Sequence, residues 1–171
     1  METKVLVAYA TKRGATAEIA GRIGGELRRE GLDTDVVPVE RLPGLESYQA
    51  VVLGSAVYIG QWRKAAAAWL KANASALAGK PVRLFSTGPT GDGAPGDLMK
   101  GWRFPTSLQA DADRIRPRDI AVFHGVLDLK KLNAVEKWLV RRIGAPVGDY
   151  RDWQAIAAWA RGIAAALRGA G

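Results

Sequence analysis

Five short apolar, β-branched runs recur along this chain, and stretches with helical spacing lie between them. The runs are Lys4–Tyr9, Asp33–Val39, Gln49–Gly54, Lys80–Ser86 and Asp119–Val126. The third carries a continuous Ala-Val-Val-Leu core, the mark of a strand covered on both faces. Helices are expected at Ala15–Glu30, ended by Gly31, at Gln61–Ala78, closed by Gly79, more weakly at Ser107–Ile115, and at Trp153–Arg168, capped by Asp152. Thr87–Pro105 is broken by Gly88, Pro89, Gly91, Gly93, Pro95, Gly96 and Pro105 and reads as loop. Strands alternating with helices pair in parallel through crossovers. The expected fold class is therefore α/β, a three-layer α/β/α sandwich on a five-stranded parallel sheet of order 2-1-3-4-5.

No repeat or linker divides the chain, so residues 1–171 read as a single domain. One segment, about 127–150, exceeds what five strands need. It sits between the fifth strand and the last helix as an insertion, with Leu132, Val135 and Leu139 spaced for one helical face. The absence of cysteine excludes disulfides, thiolate nucleophiles and cysteine-held metals, and a lone histidine argues against a transition-metal site. The N-terminus runs straight into a strand without a leader pattern, and even the Ala-rich helices are interrupted by Lys or Arg, so a cytoplasmic protein is expected. Net charge is +8, but it is spread evenly: 12 cations meet 8 anions in residues 1–85, and 13 meet 9 in residues 86–171, so each half carries +4. With no basic tail, no nucleic-acid partner is expected.

In an open parallel sheet, ligands bind beyond the carboxyl ends of the strands, near the reversal of strand order. Three loops lie there. Ala10-Thr11-Lys12-Arg13-Gly14-Ala15-Thr16 offers hydroxyls, a glycine and two cations at the start of a helix, whose first amides and positive dipole end favour an anion. A phosphate suits it, although neither the Walker A ending nor the three-glycine dinucleotide pattern is present. Gly54-Ser55-Ala56-Val57-Tyr58-Ile59-Gly60 follows the third strand, and Ser86-Thr87-Gly88-Pro89-Thr90-Gly91-Asp92-Gly93 the fourth. Both provide backbone amides and room for a flat ring, with Tyr58 able to stack on it.

The first loop resembles the flavodoxin phosphate motif Thr-x-Thr-Gly-x-Thr, matched by Thr11, Gly14 and Thr16, with Arg13 in place of the middle hydroxyl. The second loop looks like the flavin-ring loop of flavodoxin-like oxidoreductases. Nearly the whole chain takes part in the resemblance, which points to the menaquinone-dependent protoporphyrinogen dehydrogenase group. Gly148-Asp149-Tyr150-Arg151-Asp152-Trp153, opening the last helix, and the basic, Trp-bearing insertion also match that group. The resemblance implies a flavodoxin-like fold with FMN as cofactor. The implied binding residues are Thr11, Lys12, Arg13, Gly14, Ala15 and Thr16 at the phosphate, with Ser55, Ala56, Val57, Tyr58, Ile59, Gly60, Ser86, Thr87, Gly88 and Asp92 around the ring. It further implies an oxidoreductase acting on a porphyrinogen, with a quinone as acceptor. A plain electron-carrying flavodoxin is the alternative, against which the +8 charge and the insertion weigh. A phosphoryl receiver is rejected, because Tyr9-Ala10-Thr11 and Leu53-Gly54-Ser55 end their strands without a carboxylate.

Of six tryptophans, Trp69, Trp138 and Trp159 read as core or interface, while Trp62 and Trp102 lie near the expected ligand face. His124 reads as a structural residue in the fifth strand. Asp92 either bonds a flavin edge or fixes its own turn. Lys130, Lys131, Lys137, Arg141 and Arg142, beside an apolar stripe, also permit segment 130–142 to rest on an anionic membrane surface. No metal is expected, no catalytic acid or base stands out, and the residues set no oligomeric state.

Overall fold

The computed structural model describes residues 2–170. Five strands run parallel: β1 (Lys4–Ala10), β2 (Asp33–Pro38), β3 (Ala50–Tyr58), β5 (Val82–Thr87) and β6 (Asp119–Phe123). Their spatial order is β2-β1-β3-β5-β6, which is the expected 2-1-3-4-5 once the short β4 (Gln61–Trp62) is set aside as a sixth strand hung on β3. Helices α1 (Ala15–Arg29) and α6 (Trp153–Gly169) cover one face, and α2 (Lys64–Leu77) and α4 (Gln109–Ile115) the other.

Strand alternation builds the two cores. Leu6, Ala8, Val51, Leu53 and Leu84 point toward Leu70, Leu77 and Ile115, whereas Val5, Val7, Val52 and Phe85 meet Ile19, Ile23 and Ile156. Burial on both faces explains why the strands read as unbroken apolar runs rather than alternating ones. Trp159 packs edge to face on Phe85 and Phe123, which are tilted against each other, all at centroid distances of 5.4–6.0 Å, and the Trp159 indole donates to Asp119 Oδ2 at 2.7 Å.

The structure departs from the sequence reading at several junctions. The stretch after Gly54 is not a loop: β3 continues through Ser55 to Tyr58 and turns back antiparallel into β4, pairing Val57 with Trp62. Helix α2 consequently starts at Lys64, three residues after the expected Gln61. The hairpin turn is Ile59-Gly60, with φ 49° and 68°. A β-branched residue in this left-handed region is strained, and Ile59 is 79% exposed there, so burial does not offset the strain. The expected helix from Ser107 is a 3₁₀ turn (Thr106–Leu108) running into α4, and the Thr87–Pro105 loop contains one helical turn, α3 (Pro95–Leu98).

The fifth core strand stops at Phe123 rather than Val126, because β7 (Val126–Leu127) leaves the sheet to pair antiparallel with β8 (Gly148–Asp149). The insertion therefore enters and exits through a two-stranded ribbon and carries helix α5 (Ala134–Ile143) between. Asn133 and Glu136 form a capping box at the start of α5, and Gly144, with φ 66°, ends it. Arg151 fixes the base of the ribbon, with guanidinium nitrogens 2.7 Å from both Asp149 and Glu18 and the group stacked 4.7 Å from the Trp153 ring centroid.

Candidate functional site

A cavity of about 440 Å³ opens beyond the carboxyl ends of β1, β3 and β5. That is the size of an ordinary small-molecule site. Its floor is the β1–α1 loop, with Thr11, Ala15 and Thr16. One wall is the end of β3, Ala56 to Ile59, and the other is Thr87, Gly88 and Thr90. The insertion forms the roof through Leu127, Leu132, Leu139, Val140 and Ile143.

Gly14 shapes the floor. It is the N-cap of α1 at φ 91°, a conformation costly for other residues, and no side chain caps the helix. The first-turn amides of any helix lack partners within it, so those of α1 remain donors for a ligand. Thr11 Oγ1 accepts from the Gly14 amide at 3.0 Å, which closes the loop on itself. Thr16 Oγ1 lies 2.7 Å from Thr87 Oγ1 in a buried pair that ties the floor to the far wall. If Thr87 donates in that pair, the Thr16 proton remains available for an anion. Two glycines permit the walls to close up: a Cβ at Gly125 would come 3.1 Å from the Gly88 carbonyl oxygen, and one at Gly88 would come 3.4 Å from Val57 Cβ.

The two floor cations are already engaged. Lys12 Nζ reaches Glu136 Oε1 at 2.9 Å and lies 4.9 Å from the Tyr58 ring centroid. Arg13 Nη2 reaches the same oxygen at 2.6 Å, and its Nε donates to the Lys131 carbonyl at 3.1 Å. Glu136 Oε2 accepts from the Asn133 amide at 3.0 Å. The Lys12 ammonium, then the Asn133 amide and the Arg13 guanidinium, hold the Glu136 carboxyl down to about 2. A depressed carboxyl keeps its charge above that value, so these pairs persist until pH falls toward 2.

The expected residues thus divide. Thr11, Lys12, Arg13, Ala15, Thr16, Ala56, Val57, Tyr58, Ile59, Thr87 and Gly88 all line the cavity. Gly14 and Gly60 shape its turns without lining it. Ser55 and Ser86 turn into the core: Ser55 Oγ accepts from the Arg63 amide and donates to the Ala56 carbonyl, both at 2.9 Å, while Ser86 Oγ accepts from Trp62 Nε1 at 2.8 Å. Trp62 itself is buried edge-on against Phe104, away from the ligand face. Asp92 lies along a separate open groove with Gly93, His124 and Arg151, where His124 Nε2 meets the Gly93 carbonyl at 2.8 Å. Thr90, within the third expected loop, also lines the cavity, whereas Arg63 and the closing of the insertion over the cavity were not marked by sequence. The stripe read as Leu132, Val135 and Leu139 splits, because Leu132 precedes the helix: Leu132 and Leu139 face the cavity, whereas Val135 is 74% exposed.

A phosphate bearing a flat apolar ring fits this donor set. Uncapped amides and hydroxyls gather at one end, and aromatic and aliphatic walls at the other. Among the described residues no group of His, Cys, Asp and Glu could hold a metal ion, and no helix is long and apolar enough to cross a membrane.

Comparison with known proteins agrees with this geometry. The profile of the family described as "Flavodoxin domain" matches residues 6–153. Protoporphyrinogen IX dehydrogenase [quinone] of Escherichia coli (strain K12) is 26% identical over 172 residues, covering 94% of each chain. Among solved structures, a short-chain flavodoxin associated with a non-canonical PDU bacterial microcompartment superposes with a TM-score of 0.61 at 13% identity, covering 94% of this chain and 95% of that one. A mutant flavodoxin from Pseudomonas aeruginosa gives 0.59 at 16% identity, covering 97% and 99%. At such identities the structural likeness establishes the fold.

Proposed function

This chain belongs to the flavodoxin domain family, and from that premise we propose that it is an FMN-dependent enzyme that oxidises a porphyrinogen and passes the electrons to a quinone. The observation that carries this reading is the apolar roof. A carrier that meets only protein partners works with an open flavin edge, whereas Leu132, Leu139, Val140 and Ile143 make a wall suited to a lipophilic small molecule. The Escherichia coli relative, named for protoporphyrinogen IX and quinone, supports the same substrate class.

FMN is the cofactor of this family, and when bound it supplies hydride or stepwise electron transfer. The protein's part is placement. The amides opening α1 and the hydroxyls of Thr11 and Thr16 take the phosphate. Val57 and Tyr58 on one side and Thr87 and Gly88 on the other border the ring. Arg63 at the cavity edge suits the carboxylates of a porphyrinogen. The roof keeps water from the reacting face. Anaerobic mixing of the FMN-loaded protein with protoporphyrinogen IX and a quinone tests the assignment: turnover by the protein alone is expected. If a fully loaded protein gives none, yet exchanges electrons with a reductase, the carrier reading takes its place.

The outer side of α5 supports peripheral contact with an anionic membrane, where a quinone would be met. Trp138 is 58% exposed, beside exposed Val135, and Lys137, Arg141 and Arg142 stand on the same helix. Each cation near an anionic leaflet contributes about 1 kcal/mol. Replacing all three by glutamate should therefore lower co-sedimentation with anionic vesicles by two orders of magnitude or more, that is, by about 3 kcal/mol. The unchanged protein should also detach as salt rises. Equal partitioning into neutral and anionic vesicles, indifferent to salt, would remove the membrane from the picture.

A further inference from the structure

We propose that Glu136 is a positioning residue, a latch that closes α5 over the flavin cavity by holding Lys12 and Arg13 and thereby leaves the flavin phosphate to the amides and hydroxyls of the β1–α1 loop. This rests on the FMN reading above and changes the role of the two cations within it. The base of the insertion is secured by the β7–β8 ribbon and by Arg151, but α5 itself has no buried residue. What holds it down is its apolar underside and one set of polar contacts: Glu136 to Lys12 and to Arg13, the Arg13 Nε bond to the Lys131 carbonyl, and a return bond from Lys131 Nζ to the Arg13 carbonyl at 3.4 Å.

The geometry leaves the carboxylate little freedom. One oxygen takes both cations, and the other accepts from the Asn133 amide in the capping box, so the group is aimed by the start of its own helix. Lys12 joins three elements at once, since its ammonium also lies over Tyr58 on the β3 wall. Two cations against one carboxylate leave the corner with a net charge of +1, still favourable to a phosphate at the neighbouring amides. The roof's Leu139, Val140 and Ile143 line the same cavity as the Val57 and Tyr58 wall assigned to the ring. Opening it should therefore affect any flavin, with or without a phosphate.

Glu136→Gln isolates the charge, because glutamine also serves at the third position of a capping box. Flavin fluorescence titrations with FMN and with riboflavin should show Kd rising for both by the same factor, about fivefold, with faster dissociation of each. In the flavin-free protein, trypsin should cut the Lys137–Arg142 stretch faster in the variant. The charge-swapped pair Arg13→Glu with Glu136→Arg should restore the resistance that each single change loses. Tighter FMN binding with riboflavin unchanged would show that the carboxylate competes with the phosphate, and would overturn the latch. So would unaltered binding and proteolysis, or failure of the swap. If the unchanged protein binds neither flavin, the FMN reading falls, while the trypsin comparison still decides whether Glu136 holds α5.

Discussion

Replacing Thr11 and Thr16 together by valine weakens FMN binding by about two orders of magnitude and leaves riboflavin within about threefold, as measured by titration of flavin fluorescence. At the α1 terminus Gly14 leaves the first amides without a side-chain cap, and the two threonines stand on either side of it in the chain. A hydrogen bond from a neutral donor to a charged phosphate contributes roughly 1.5–3 kcal/mol, so two of them amount to about a hundredfold or more in Kd. Riboflavin has the same ring and no phosphate, and cannot register their loss. Thr16→Val also removes the partner of Thr87, so thermal unfolding must accompany the titration to separate lost binding from lost fold. An equal loss for the two ligands would mean that the β1–α1 loop does not hold the phosphate.

The second large effect lies inside the sheet. A Cβ built on Gly54 would stand 1.9 Å from Phe85 Cζ, directly opposite in the β3–β5 register. The Phe85 ring is fully buried and boxed in by Phe123 and Trp159, so it has nowhere to retreat. Overpacking costs about 1–3 kcal/mol and more when the neighbour is fixed. Gly54→Ala should fall at the upper end, lowering Tm by roughly 6–12 °C for a chain of this size. Adding Phe85→Leu should recover part of that loss even though the leucine alone is destabilising, a coupling that a double-mutant cycle reads directly. An unchanged Tm in Gly54→Ala would show that the strands separate more easily than their packing implies.

The same glycine shows where the sequence was legible and where it was not. Parallel order and layers followed from apolar β-branched runs spaced by helices, because covering a sheet on both faces leaves that pattern in one dimension. Ser55-Ala56, past the expected strand end at Gly54, looked like loop since small residues are common in loops. Here they are strand, and the space left by Gly54 is filled by the Phe85 ring thirty-one positions further on. Ser55 and Ser86 looked like ligand hydroxyls, but their partners, the Arg63 amide and the Trp62 indole, are visible only once β4 folds back. Lys12 and Arg13 line the cavity, yet their counter-charge is Glu136, 124 and 123 positions away, and no local signal announces it. The roof was half legible: a basic amphipathic helix was plain, but not which of its apolar residues turn inward.

Leu127 and Gly148, the residues that bracket the roof-bearing excursion, are cross-strand neighbours in the ribbon. Everything between them leaves and rejoins the molecule through a single doorway. Such an arrangement behaves as a cassette: its length and chemistry can be exchanged without disturbing the register of any core strand. A scaffold of this kind can turn from one class of redox client to another by refitting one porch, with the foundations untouched.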